Sequence, residues 1–110
     1  MAILFYDHLI TKSEIEELIA TSEEAENQKG RALQLIDDII FQGIVSFILE
    51  HLESHHHHTF LTHVHERPYD PEILGYLKDR VGPHIEDDIR LEADKLVKMI
   101  LQDLHSEDKV

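Results

Sequence analysis

Cysteine is absent from this chain, so disulfides, thiolate metal sites and cysteine nucleophiles are excluded, and any zinc site would draw on His and carboxylate ligands alone. Tryptophan is also absent, and with only four Gly and three Pro the sequence offers no Gly-rich phosphate loop and few places to break a helix. Basic residues are scarce too. Ten Lys and Arg stand against 23 Asp and Glu, a formal net charge of −13. Both halves share it: residues 1–53 carry 11 acids and 3 bases, the remainder 12 and 7. Such a surface repels phosphate backbones and anionic headgroups, which excludes nucleic acid and membrane as expected partners and favours cationic ones.

A chain of 110 residues fits one domain and can bury roughly 60–70% of its unfolded surface. With 42% hydrophobic residues and no low-complexity stretch beyond a histidine run, the whole of 1–110 is expected to fold as a single helical domain. The opening Met1-Ala-Ile-Leu-Phe-Tyr-Asp-His8 lacks the basic n-region of a signal peptide, so a cytoplasmic location is expected. The longest apolar stretch, Ile39 to Leu52, is interrupted by Gln42, Ser46 and Glu50 and falls short of the roughly 20 residues of a membrane span.

Apolar periodicity divides the chain into helices. Ile3, Leu4, Phe5, Leu9 and Ile10 suit a short N-terminal helix, with a strand as the alternative. Ser13-Glu-Ile-Glu16 has capping-box spacing ahead of Ile15, Leu18 and Ile19, which predicts a helix from about residue 13. The polar run Thr21–Gly30 reads as an interruption. From 31 to 52 apolar residues cover more than half of the helical circumference, the signature of a central helix packed on two sides or shared with a second copy. Ser54 is a candidate N-cap for a short helix over 55–66 bearing Phe60, Leu61 and Val64. Asp70-Pro71 then has the N-cap and N1 signature of a further helix that Gly82-Pro83 closes, and a last amphipathic helix runs over about 84–105. The expected fold is all-α: a small bundle of four to five helices with a central apolar helix (31–52) and a long C-terminal one (84–105).

This order resembles a family of small, uncharacterised all-helical domains of bacteria with very small genomes. The resemblance runs over about 13–104 and is carried by Ile48-Leu-Glu-His-Leu52, Phe60-Leu61, Asp70-Pro-Glu-Ile-Leu-Gly-Tyr-Leu77 and Ile85 opening the final helix. It implies the helical fold and no activity or ligand. Here the turn after the central helix carries histidines where the family pattern tends to carry Glu and Asp.

What is abundant is histidine, with ten in the chain, including His55–His58 in succession and then His63 and His65. Neutral imidazole is the commonest transition-metal ligand and titrates near neutrality. A preformed site needs three or four ligands converging on one point, hence helical spacings of three, four or seven. Were the central helix to continue through Ser54, then His51, His55, His58 and His65 would share one stripe and form a credible site for Zn, Ni or Cu. Were Ser54 to begin a new helix, His51 would lie on a different element and no i, i+4 histidine pair would remain.

The other constellations are weaker. Glu53-x-x-His56 has di-iron spacing without the required second motif, Asp37-Asp38 and Asp87-Asp88 diverge on a helix, and no serine lies in a strained elbow. No enzymatic activity is expected. The reading is a small acidic interaction module with a protein partner or as a homodimer, with transition-metal binding by the 51–65 histidines as the alternative.

Overall fold

A computed structural model describes residues 4–23 and 25–107. Among them are five α-helices and no strand: α1 (Ser13–Ala20), α2 (Glu26–His51), α3 (His57–Glu66), α4 (Glu72–Arg80) and α5 (Ile85–Glu107). The all-α bundle with a long C-terminal helix is the architecture the periodicity predicts.

In α1, Ile15 and Ile19 are one turn apart and both buried, and Glu14 and Glu16 sit in the first turn, where carboxylates favour the helix dipole. The expected capping box is not formed. Lys12 is the N-cap residue, Ser13 is already helical, and no side chain caps the end. Where α1 stops, hydroxyls take over its terminal carbonyls: Thr21 Oγ1 donates to Glu17 O at 3.0 Å and Ser22 Oγ to Ile19 O at 2.8 Å. Lys29 Nζ reaches back to Ala20 O at 3.0 Å. The polar run thus ends one helix through its own side chains, and the interruption is real, though shorter than 21–30.

Helix α2 starts at Glu26, ahead of the expected residue 31. Its first residues, Glu26, Asn27 and Gln28, are polar and solvent-exposed, so apolar periodicity has no purchase on them. Further along, Ile36, Ile40, Ile44 and Ile48 form one fully buried row. The helix has 26 residues, and an 18-residue window reaches mean hydropathy 1.7, long and apolar enough to cross a membrane by length and composition. That exceeds the expectation from 39–52 alone, and 22% of the window is buried; the helix contributes the isoleucine row to the core, with α1 and α5 packed against it.

The break at Ser54 is also real, with a different cause. Leu52 and Glu53 adopt extended conformations (ψ 131° and 143°), a 3₁₀ turn follows at Ser54–His56, and Ser54 provides no side-chain cap. Leu52 is only 3% exposed, so its burial anchors the turn. Phe60 and Val64 of α3 then face the core. At α4 the expected capping bond is formed, Asp70 Oδ1 accepting the Glu72 N–H at 3.0 Å, although the helix begins one residue later than expected, with Pro71 in the N-cap place. Gly82 closes α4 with φ +154°, a conformation other residues adopt only with strain, while its N–H and that of Val81 bond to Leu77 O.

Helix α5 buries Ile85, Ile89, Ala93, Val97 and Ile100 and packs along α2. The two helices meet at Gly43, where an added Cβ would stand 2.8 Å from Leu96 Cδ1. The N-terminal segment is neither the expected helix nor a strand, residues 1–3 lying outside the described range. Asp7–Leu9 make one 3₁₀ turn with no side-chain cap, and Asp7 Oδ2 accepts the N–H of Leu4, in the segment leading into it, at 2.8 Å. Phe5, Tyr6 and Leu9 are buried, and the Phe5 N–H donates to Pro68 O at 2.8 Å, tying this segment to the α3–α4 turn.

The body measures 46 × 23 × 21 Å, with a radius of gyration of 15.4 Å, against about 13 Å for a compact domain of this length. The helices therefore form an elongated body, and between them one side is left open.

Candidate functional site

The histidines do not converge. His51, on the last turn of α2, is exposed; its Nδ1 lies 2.9 Å from Phe47 O, and its ring centroid 4.4 Å from that of Phe47. His55 lies in the 3₁₀ turn, 3.5 Å from Glu53 Oε2, with its ring 4.0 Å from that of His56. His56 packs edge-on to Tyr76, whose other neighbour is the Arg80 guanidinium 5.0 Å from the ring centroid. Partial burial first, then the nearby His55 and Arg80, hold the His56 imidazole below its ordinary pKa.

His57 has a structural role that no spacing rule suggests. Its Nε2 donates to Leu52 O at 2.7 Å, satisfying backbone left unpaired where α2 breaks. His63 Nε2 donates to Asp70 Oδ2 at 2.9 Å, so one carboxylate joins the end of α3 to the cap of α4. These two contacts, the imidazole's first, hold the Asp70 carboxyl below its usual range. His58 is exposed, and His65 faces a different feature, described next. Of the four predicted ligands, His51, His55, His58 and His65, the break at Leu52 leaves the first on another element. Among the described residues no three His, Asp or Glu side chains are grouped to hold a metal ion.

The feature His65 lines is an open groove of about 850 Å³ between the N-terminal segment, α2 and α3, within the 300–1,000 Å³ common for binding sites. Its floor is apolar: Leu4 and Tyr6 from the N-terminal segment, Ile40, Phe41 and Val45 from α2, Leu61 and Val64 from α3. Tyr6 and Phe41 rings lie 6.4 Å apart, and Phe5 meets Phe60 edge-on behind them. Burial above all, then the Asp7 and Asp37 carboxylates, push the Tyr6 phenol well above its ordinary pKa, so it stays neutral.

The rim is polar. Lys12 Nζ pairs with Asp37 Oδ1 at 2.8 Å, Asp38 Oδ1 accepts from Gln34 Nε2 at 3.0 Å, and Asp7 accepts the Leu4 N–H. Sequence reasoning did not find this site. One signal was present: Phe41 and Val45 lie beside the Ile36–Ile48 row and make the apolar arc of α2 wider than one packed face requires.

The fold and site define a class: an elongated all-α domain with an apolar, acid-rimmed groove. No protein family, curated protein or solved structure matches the chain, so the roles of its residues are argued from their own geometry.

Proposed function

We propose that the chain is a non-enzymatic interaction module whose groove receives apolar side chains of a partner protein. The observation that carries this reading is the groove itself, an apolar floor assembled from three separate elements and left open to solvent. Concave, mostly apolar sites with a few polar groups at the edge are where ligands and partners commonly bind. The rim's polar groups bond to one another or to neighbouring backbone, Lys12 with Asp37, Asp38 with Gln34 and Asp7 with the Leu4 N–H, and lie at the edge of the apolar floor.

A photo-crosslinking side chain at Leu61, 42% exposed on the groove wall, tests the reading in cells against the same side chain at Leu91, exposed on α5 outside the groove. A discrete adduct from position 61 that disappears when Val45→Trp fills the groove supports it. Equal adducts from both positions, or an adduct indifferent to the filling, refute it.

A second reading, the homodimer, has its own observation. Leu35 and Ile39, one turn apart on α2, are 61% and 40% exposed. Sedimentation over a wide concentration range decides it: a mass that stays monomeric removes the homodimer, and a dimer lost in Leu35→Glu supports it.

A further inference from the structure

We infer that the groove's occupant is a cationic amphipathic helix of a partner protein, its apolar face on the floor and its Lys or Arg side chains against the acidic rim. This rests on the interaction reading above and adds the partner's chemistry.

Shape gives the first argument. The residues of α2 that line the groove run from Gln34 to Val45, which at 1.5 Å per residue is roughly 16 Å, or three helical turns. A helix docks through anchors at i, i+3 or i+4 and i+7, a span of about 10 Å that this trough accommodates with room for the side chains at either end. The floor suits those anchors, since Phe41 and Val45 on one wall and Leu61 and Val64 on the other are aliphatic or aromatic.

Charge gives the second. The rim holds three carboxylates, Asp7, Asp37 and Asp38, against one ammonium, Lys12, an excess of acid at the mouth. Each carboxylate uses one oxygen in the bonds already named, and a carboxylate has acceptor capacity for more than one donor. Lys12 is therefore a built-in competitor for the same acids as an incoming cation. A second copy of this chain, at −13, brings further acid to an acidic rim, and an anionic amphiphile does the same; like charges across an interface are disfavoured.

The test uses the full chain and three labelled synthetic peptides of about 14 residues: Leu at helical anchor spacing with Lys elsewhere, the same Leu pattern with Glu elsewhere, and the Leu/Lys composition with the anchors scattered. Affinity is read by fluorescence anisotropy, and place by the methyl resonances of Val45, Leu61 and Val64. The patterned Lys peptide is expected to bind and shift those methyls, with the Glu peptide at least about tenfold weaker. Asp38→Lys should weaken binding roughly five- to tenfold, and Lys12→Ala, which releases Asp37, should strengthen it about two- to threefold.

If the Glu peptide binds as tightly, the cationic inference falls while the interaction reading stands. If the scattered peptide binds equally, or the shifts lie outside the groove, the attraction is non-specific and the inference falls. If no peptide moves the groove methyls, both readings fall. Groove shifts that follow protein concentration without any peptide would make a second copy the occupant and overturn the inference.

Discussion

Gly43→Ala should destabilise the protein although it improves helix propensity, and the two effects can be set against each other. Alanine is favoured over glycine in a helix interior by about 1 kcal/mol. The new Cβ, however, would stand 2.8 and 2.9 Å from the two Leu96 Cδ atoms, roughly 1 Å inside the usual carbon–carbon contact distance. Relieving that overlap drives Leu96 off its rotamer or separates α2 from α5, and overpacking of this kind costs about 1–3 kcal/mol. The net expectation is a loss of about 1 kcal/mol, several degrees in Tm for a domain of this size. Gly75, in α4, is the control, because an added Cβ there meets nothing within 4 Å. Gly75→Ala should gain about 0.5–1 kcal/mol. Urea unfolding followed by circular dichroism measures both. In a Leu96→Ala background the penalty should vanish and Gly43→Ala should become stabilising, a coupling of about 2 kcal/mol. A Gly43→Ala variant that gains stability in the wild-type background refutes the penalty, showing that the half-buried Leu96 side chain swings clear of the new methyl.

Three further outcomes follow from the same geometry. Ile44, fully buried in the isoleucine row, should lose about 2–5 kcal/mol on replacement by Ala, visible as a lowered urea midpoint with little change in slope. Stability should fall on acidification in two stages, because groups held below their ordinary pKa are protonated more readily in the unfolded chain. His56 acts as pH falls below about 6.5; Asp70, held down by His63, and Glu86, held down chiefly by its hydrogen bond to Lys78, act below about 4. A Tm constant between pH 7 and 5 would contradict the first stage. Calorimetric titration of chelator-treated protein with Zn²⁺ should give only weak, multi-site binding, unlike the preformed sites that reach about 10 kcal/mol or more; a stoichiometric nanomolar site abolished by replacing His55–His58 with Gln would revive the metal reading.

Much of the fold was legible because punctuation and periodicity act locally. Asp70-Pro71 caps a helix wherever it is placed, Gly82 with its unusual φ ends one, and the isoleucines of α2 advertise their row by four-residue spacing. What stayed hidden depends on partners distant in sequence. Ser13 looked like a cap and is simply the first helical residue. The break after α2 was foreseen at Ser54, yet burial of Leu52 and the His57 hydrogen bond to its carbonyl sustain it. The histidines drew attention by type, which says nothing about direction, and His51, His55, His56, His57 and His63 each met a different neighbour. The groove was invisible for the same reason, since no spacing rule brings residues 4–6 alongside 61–68.

The hydrogen bond from Phe5 to Pro68 closes a loop containing α1, α2 and α3, more than half of the chain. The entropy lost on closing a loop grows with its length, whereas helices and neighbouring pairs form from contacts close in sequence. The N-terminal wall of the groove, held by so long a closure, is thus a natural unit for partial opening. Hydrogen exchange at the Phe5 amide reports that opening separately from global unfolding, which the amides of Ile40 and Ile44 report. A bound partner that spans the groove would slow exchange at Phe5 most, so that one amide serves as a meter of occupancy.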